Sequence, residues 1–172
     1  VAPKDRDIAM VFQSYALYPH MTVYDNLAFP LKLRKASKDE IDKKVREAAQ
    51  VLGITEYLER KPKALSGGQR QRVAIARALA CEPEYILCDE ATSALDPAST
   101  ASILSLLKRI NDTAGVTIII ITHSMDVVRQ VCKSVAVLSH GKLVERGSVD
   151  EVFSNPQNET TKALLGRVSW ND

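Results

Sequence analysis

The sequence predicts an α/β fold built on a parallel sheet, and three observations support this prediction. Residues 85–88 and Thr117–Ile121 are short apolar runs without polar alternation, which is typical of strands buried on both faces. A helical pattern over residues 97–111 lies between them. Its apolar side chains recur at helical spacing on one face, as Ile103, Leu106, Leu107 and Ile110. A strand, a helix and a second strand in this order predict a right-handed βαβ unit.

Capping and turn signals predict several further elements. Ser37 and Glu40 form an S-x-x-E box that begins a helix, and Gly53 ends it. A shorter helix is predicted over residues 56–60, before a proline. Residues 139–142 predict the turn of a hairpin, because short apolar runs flank them on both sides.

Composition narrows the class of protein. The chain has 172 residues, enough for one domain, with 45% apolar and 26% charged residues, as in soluble globular proteins. A net charge of +2 is too small to argue for a nucleic-acid partner. Cys81, Cys88 and Cys132 form no C-x-x-C pair and predict buried thiols in a reducing compartment. No apolar run approaches the ~20 residues of a membrane helix, so we expect a cytoplasmic chain that meets a membrane through a partner.

The stretch L-S-G-G-Q, residues 65–69, precedes a helix predicted over residues 70–80 and is called the signature turn below. Its adjacent glycines expose backbone N–H groups, and Ser66 with Gln69 forms an S-x-x-Q capping box. A helix that begins in this way presents unpaired N–H groups and its positive end to an anion such as phosphate. Taken alone, the stretch fits a capped surface helix as well as an anion site.

Polar side chains stand where the predicted strands end. Asp89 and Glu90 follow residues 85–88, and open α/β sheets bind ligands at such strand ends. Two adjacent carboxylates are costly there without a cation, and Mg²⁺ suits their oxygen atoms. Gln13 ends a short apolar run and His123 follows Thr117–Ile121, although either residue alone also fits a structural strand terminus.

Four segments resemble the motifs of ATP-binding cassette (ABC) ATPases, in the order of that family. They are AMVFQ for the Q-loop, LSGGQRQRVAIARALA for the signature, YILCDEATSALDP for Walker B and the D-loop, and IIIITHSMD for the H-loop. Residues 3–35 look most like sugar importers of the maltose type and residues 71–155 most like methionine importers, a split that hints at a recombined or engineered chain. No Walker A sequence, G-x-x-x-x-G-K-[ST], precedes Gln13.

The resemblance implies a partial P-loop NTPase (RecA-like) parallel sheet with an α-helical subdomain, lacking the N-terminal strands and the P-loop. The P-loop strand is expected beside the strand that ends at Asp89. Its absence predicts unpaired edges, and with them a sheet completed by another chain, a rearranged strand order or a fragile monomer. The implied parts are the Q-loop strand of the core, the helical (signature) subdomain, the α/β core with Walker B, D-loop and H-loop, and a C-terminal tail, at residues 1–14, 15–82, 83–155 and 156–172.

The resemblance also implies roles for the candidate residues, with ATP and Mg²⁺ as ligands. Glu90 is expected to act as general base on the attacking water, and His123 to contact the γ-phosphate. Asp89 is expected to orient Mg²⁺ through water, and Gln13 to reach both Mg²⁺ and the attacking water. The nucleotide held by the opposite protomer is expected to meet residues of the signature turn and the D-loop, namely Ser66, Gly67, Gly68, Gln69 and Asp96.

Two groups of side chains near these motifs have competing interpretations. Three arginines of the signature helix favour surface or ion-pair roles over phosphate binding, because they spread around the helix: Arg70, Arg72 and Arg77. Four apolar side chains after the Q-loop fit either a docking surface for a membrane subunit or the core of the subdomain: Tyr15, Leu17, Tyr18 and Met21.

Three functions are compared. The first is an ATP-hydrolysing importer subunit for an amino acid such as methionine, or for a sugar, at the inner face of the cell membrane. It would form a homodimer and meet permease subunits through the Q-loop and helical subdomain. The second is a truncated or engineered fragment that binds ATP very weakly, because a P-loop supplies most of the phosphate grip. The third, an ABC ATPase of DNA repair, ranks last because no sustained heptads separate Gln13 from Leu65.

Overall fold

The computed structural model describes residues 7–166 and divides the chain into two compact units, Val1–Ile121 and Thr122–Asp172. Among its described residues the first unit contains three strands, four α-helices and two short 3-10 helices. The strands are β1 (Ile8–Phe12), β2 (Tyr85–Asp89) and β3 (Thr117–Ile121). The α-helices are α1 (Val23–Leu33), α2 (Lys38–Leu52), α3 (Gly67–Ala80) and α4 (Pro97–Ala114), and the 3-10 helices are Thr55–Tyr57 and Pro62–Ala64.

The three strands form one parallel sheet in the order β1-β2-β3. Phe12, Asp89 and Ile121 occupy the same row at its carboxyl edge, since Phe12 pairs with Asp89 and Asp89 with Ile121. This arrangement confirms the predicted α/β class with a parallel sheet. Both edges of β2 are paired in this sheet. The expected place of a P-loop strand in the family's complete sheet stays a prediction. The open edges of this sheet belong to β1 and β3.

Helices cover one face of this sheet. On the covered face Val11, Ile86 and Cys88 are buried, and α3 packs against β1. On the other face Met10 is 45% exposed and Ile119 is 44% exposed. The prediction that β2 and β3 are buried on both faces was therefore wrong. An apolar run without alternation satisfied the pattern of a doubly covered strand, although side chains on the second face are partly exposed within residues 7–166.

The helices begin at the residues that can cap them. The N-cap side chain of each of the four α-helices accepts a hydrogen bond from the backbone N–H three residues on; these residues are Thr22, Ser37, Ser66 and Asp96. Gly53 and Gly115 follow α2 and α4 with φ of +63° and +67°, a left-handed conformation that glycine adopts without strain. Residues 56–60, predicted as a helix, contribute to a short 3-10 helix instead.

The second unit holds an antiparallel hairpin and three short helices within its described residues. They are α5 (Met125–Val131), β4 (Ser134–Ser139), β5 (Lys142–Ser148), α6 (Val149–Ser154) and α7 (Glu159–Leu164). The hairpin turns at His140 and Gly141, whose φ angles are +49° and +74°, as the predicted turn requires. A small core joins Val128, Val152 and Phe153. The last residues of the predicted tail, 167–172, lie outside the described residues.

Two predictions from composition concern the burial of the cysteines and the presence of membrane-spanning helices. Cys88 is buried, and this burial raises the pKa of its thiol to about 12, so that the thiol stays protonated at neutral pH. Cys81 and Cys132 are half-buried, and burial raises the pKa of each. Between residues 7 and 166, no helix is both long and apolar enough to cross a membrane.

Candidate functional site

A cleft of about 550 Å³ lies at the carboxyl ends of β1 and β2. We call it the strand-end cleft, and its lining residues are Phe12, Gln13, Ser14, Tyr15, Asp89, Glu90 and Ala94. It brings together three residues singled out in the sequence, Gln13, Asp89 and Glu90. They meet because β1 and β2 are parallel neighbours in register, so that both strands end at the same edge of the sheet.

Glu90 leaves β2 in a strained conformation. Its φ is +49°, in the left-handed region, where a residue other than glycine costs about 1–3 kcal/mol. Hydrogen bonds hold this conformation in place. The Glu90 N–H donates to the carbonyl oxygen of Ile121 at 3.0 Å, and its own carbonyl accepts from the N–H and the hydroxyl of Ser93 at 3.2 and 2.9 Å. The turn therefore fixes the point from which the Glu90 carboxylate projects.

The residues after Gln13 form a second strained turn, called the Q-loop turn (residues 13–16). Tyr15 and Ala16 have φ of +64° and +48°, two consecutive left-handed residues that are not glycine. Arg77 of α3 donates to the carbonyl oxygens of both, at 3.3 Å to Tyr15 and 2.7 Å to Ala16. Burial lowers the pKa of Arg77, although the shift leaves its guanidinium charged at neutral pH. A cation thus ties the Q-loop turn to the signature helix.

The signature turn has the predicted capping box. The Gln69 N–H donates to the Ser66 hydroxyl at 3.2 Å, and the Ser66 N–H donates to the Gln69 side-chain oxygen at 2.9 Å. The Gln69 side-chain amide also donates to the hydroxyl of Tyr57 at 3.1 Å. Because the Ser66 hydroxyl accepts one bond within the box, its own hydrogen remains a donor suited to an anion.

The glycines of the signature turn allow close approach of its neighbours. A Cβ on Gly67 would lie 3.0 Å from the Tyr15 hydroxyl and 3.5 Å from a methyl group of Leu95. A Cβ on Gly68 would lie 3.0 Å from the Ser99 hydroxyl oxygen. The signature turn therefore packs against the Q-loop turn on one side and the start of α4 on the other.

Asp96 performs the local function that its sequence predicts. As N-cap of α4, it accepts from the Ser99 N–H at 2.9 Å. Hydrogen bonds from Ser99 hold the pKa of the Asp96 carboxyl below its usual value. A role of Asp96 toward a nucleotide on another protomer stays a prediction.

The arginines of α3 bind backbone carbonyl groups, which differs from the surface or ion-pair roles that were predicted. Arg70 donates to the carbonyl oxygens of Pro62 and Leu65, both at 3.1 Å. Arg72 donates to the carbonyl oxygen of Leu52 at 2.8 Å. These acceptors belong to backbone that is remote along the sequence or lies in loops, and no residue type marks them.

His123 lies in the second unit, two residues beyond the end of β3. Its contact with a γ-phosphate and with Glu90 stays a prediction. No three His, Cys, Asp or Glu side chains within residues 7–166 cluster closely enough to hold a metal ion by themselves. Asp89 and Gln13 nevertheless offer oxygen atoms to the strand-end cleft. This donor set fits Mg²⁺, which takes few ligands from protein and the rest from phosphate and water.

The parallel sheet, the capped signature helix and the carboxylates at the strand ends define an α/β fold of the P-loop NTPase class. The profile of the ABC transporter family matches residues 2–93, and the chain belongs to that family.

Relatives and solved structures agree with this assignment. The methionine import ATP-binding protein MetN of Pasteurella multocida is 54% identical over 160 residues, which cover 93% of this chain and 46% of that protein. The trehalose/maltose import ATP-binding protein MalK of Thermococcus litoralis is 52% identical over 171 residues, 99% of this chain and 46% of that protein. The structure of CbiO1 from Clostridium perfringens, part of the ABC transporter complex CbiONQ, has a TM-score of 0.79 at 35% identity, covering 92% of this chain and 63% of that one.

These similarities confirm the predicted family and the resemblance to both methionine and maltose-type importers. Each relative aligns with nearly the whole chain, so a division of the two resemblances between its halves stays a prediction. The chain spans about half the length of the curated relatives it matches.

Proposed function

We propose that this chain serves as the ATP-binding part of an ABC importer that hydrolyses ATP to move an amino acid such as methionine, or a sugar. The observation that carries the proposal is the meeting of Gln13, Asp89 and Glu90 in the strand-end cleft, beside a signature turn that presents an anion-binding helix start. Phosphoryl transfer asks mainly for charge neutralisation and in-line positioning, and this group of side chains suits both.

Each residue has a chemical task in this proposal. The oxygen atoms of Asp89 and Gln13 would hold Mg²⁺, which supplies charge neutralisation at the phosphates when bound. Glu90 takes a proton from the attacking water, and its strained, hydrogen-bonded turn keeps the carboxylate in place. His123 contacts the γ-phosphate from the loop after β3.

A second copy of the ATPase subunit completes the site in this proposal. The signature turn, through Ser66, Gly68 and Gln69, and the D-loop residue Asp96 meet the γ-phosphate that the other protomer holds, with the Ser66 hydroxyl as a donor. Their place at the start of α3 and α4 supports this role, since both helix starts are capped and partly exposed.

The Q-loop turn and the helical subdomain (15–82) contact permease subunits at the inner face of the cell membrane. Some of the apolar residues after the Q-loop that fitted either a docking surface or the core can now be told apart by their packing. Tyr15 and Leu17 pack on the main core, which favours the core interpretation for them. Tyr18 is 38% exposed and packs on Phe29 with ring centroids 4.8 Å apart, which favours a docking role for this pair.

A second candidate function is a fold unit without turnover, favoured by the absence of a G-x-x-x-x-G-K-[ST] sequence from these 172 residues. In this case residues 1–172 are a fragment that alone binds ATP very weakly. The longer ATPase with a P-loop to which we propose they belong, called the full-length protein below, binds and hydrolyses ATP.

The experiment compares ATP binding and hydrolysis by residues 1–172 and by the full-length protein. Glu90→Gln in the full-length protein is expected to lower hydrolysis by about 10²–10⁴-fold while ATP binding persists, because the general base is lost. Glu56→Gln, at an exposed site of the helical subdomain, is the matched control and leaves hydrolysis unchanged. Unchanged hydrolysis in Glu90→Gln would refute the assignment of the base. Micromolar binding and turnover by residues 1–172 would refute the second candidate.

A further inference from the structure

Gln71 is a polar residue in the apolar interior of the first unit. It lies in α3 and is 0% exposed, and the following residues Val73, Ala74 and Ile75 are buried as well. A buried amide costs stability unless its hydrogen bonds are made, so packing alone would favour leucine or methionine at this position.

The Gln71 amide makes one strong contact and leaves one atom without a partner. Its Nε2 donates to the carbonyl oxygen of Ala91 at 2.6 Å. Its Oε1 is buried and has no hydrogen-bond partner among residues 7–166. Gln71 therefore supplies one hydrogen-bond donor to one backbone carbonyl, while its own Oε1 stays buried without a donor.

The backbone group it binds belongs to the turn that carries Glu90. Ala91 directly follows Glu90, and the φ of Glu90 is +49°. The N–H of Glu90 is tied to β3 through Ile121, and its carbonyl is tied to Ser93. The hydrogen bond from Gln71 is a further contact that holds this turn, and it comes from a different element, the signature helix.

We propose that Gln71 is a positioning residue for Glu90, coupling the signature helix to the turn that holds the general base. The inference rests on the proposed function, in which Glu90 accepts the proton of the attacking water. When α3 moves, the amide of Gln71 carries the displacement to the carbonyl group of Ala91, the residue after Glu90, and the Glu90 carboxylate moves with it.

The test is Gln71→Met in the full-length protein, since methionine keeps the length and volume of glutamine without its donor. We expect the kcat of ATP hydrolysis to fall about tenfold because the base is less well placed, with KM for ATP unchanged within about twofold. The melting temperature changes little, because the variant leaves the Ala91 carbonyl unpaired but also removes the unpaired Oε1. Amide exchange at residues 91–93 accelerates by about fivefold or more, because the turn opens more readily. Gln50→Met, at an exposed site on α2, is the matched control and changes none of these readouts.

Three outcomes would overturn the inference. The first is unchanged exchange at residues 91–93, and the second is faster exchange there with an unchanged kcat, since in either case Gln71 would not position Glu90. The third is a fall in melting temperature together with a parallel loss of kcat and of ATP affinity, which would indicate a packing role. Amide exchange needs no turnover, and Glu90→Gln tests the base by itself. Failure of the proposed function is therefore distinguishable from failure of this inference.

Discussion

Arg77 at the end of the signature helix donates through Nη1 to the carbonyl oxygen of Ala16, at 2.7 Å. Residues 61 positions apart in the chain are thus joined, one in the helix that follows the signature turn and the other in the Q-loop turn. The acceptor is the backbone of a residue with φ of +48°. The guanidinium therefore holds a conformation that the local sequence does not favour, and the strain of the Q-loop turn is balanced by α3.

Arg77→Lys tests this tie. A lysine ammonium cannot reproduce two bonds from one planar group, so we expect the free energy of unfolding to fall by about 1–2 kcal/mol. Urea unfolding of the protein measures the change, with Lys108→Arg at an exposed position of α4 as control. Faster amide exchange at residues 15–17 is expected in the variant. An unchanged midpoint together with unchanged exchange at these residues would show that the bonds to Tyr15 and Ala16 contribute nothing.

The close approach of Gly68 to Ser99 predicts an energetic coupling between α3 and α4. Gly68→Ala places a Cβ 3.0 Å from the Ser99 hydroxyl oxygen and 3.3 Å from the Ser99 Cβ, so the serine must shift. In Ser99→Ala the first of these contacts is removed. We therefore expect Gly68→Ala to be less destabilising, or more stabilising, by about 0.5–1 kcal/mol in the Ser99→Ala background than in the unaltered protein. A double-mutant cycle by urea unfolding measures this difference, and additive effects would contradict it.

Glu145 predicts a pH-dependent contribution to stability. Its carboxylate accepts from the N–H groups of Gln157 and Asn158 at 2.8 and 3.0 Å, and chiefly the bond from Gln157 lowers its pKa below the ordinary 4.5. A carboxyl whose pKa is lowered by folding stabilises the fold above the unfolded pKa and loses that contribution as pH falls through the folded value. Glu145→Gln should therefore lower the free energy of unfolding by about 0.5–1 kcal/mol at pH 7, and the gap should close in acid.

The measurement is urea unfolding of both proteins from pH 7 to pH 2.5. Glu56→Gln, whose carboxyl is exposed, serves as control. A gap between Glu145→Gln and the unaltered protein that stays constant over this range would contradict the assignment, because it would not follow the protonation of the carboxyl.

The uncovered face of β3 predicts self-association of residues 1–172. Ile119 and Ile121 are 44% and 48% exposed beside an open strand edge, and apolar edges of this kind pair with other chains. Ile119→Lys is expected to lower the associated fraction in sedimentation velocity, because a charge on that face opposes pairing. Leu33→Lys, at a position of α1 where the leucine is 69% exposed, is the control and leaves association unchanged. Equal association in Ile119→Lys and the unaltered chain would place the contact elsewhere.

Local features of this chain were predicted well. The predicted capping box at Ser66 has both of its bonds, and the hairpin at His140 turns where expected, because a few adjacent residues decide such features. Each of these signals lies within a few consecutive residues, so no long-range contact was needed to predict it. The expectation that Gln13 acts together with Asp89 and Glu90 came from the family resemblance, and the pairing of β1 with β2 brings the three residues to one cleft.

Features that depend on the surroundings of an element were missed. The acceptors of Arg72 and Arg77 are backbone carbonyls, which every residue carries and no sequence pattern marks. The exposure of Ile119 depends on whether anything covers the second face of the sheet, which an apolar run does not reveal. The contact of Gln71 was not predicted, because a single polar residue in a helix with several arginines carries no distinguishing signal. Its acceptor, the Ala91 carbonyl, is identified only when α3 is seen packed on the sheet.

The hairpin turn at His140 and Gly141 has a practical use. Among the described residues, no heavy atom outside Gly141 and its two chain neighbours lies within 4 Å of the position that a Cβ on Gly141 would take. A fluorophore or a short epitope grafted at this bend would have room without disturbing Val128, Val152 or Phe153. The second unit could thus be followed by its own optical signal while the chemistry of the strand-end cleft is assayed separately.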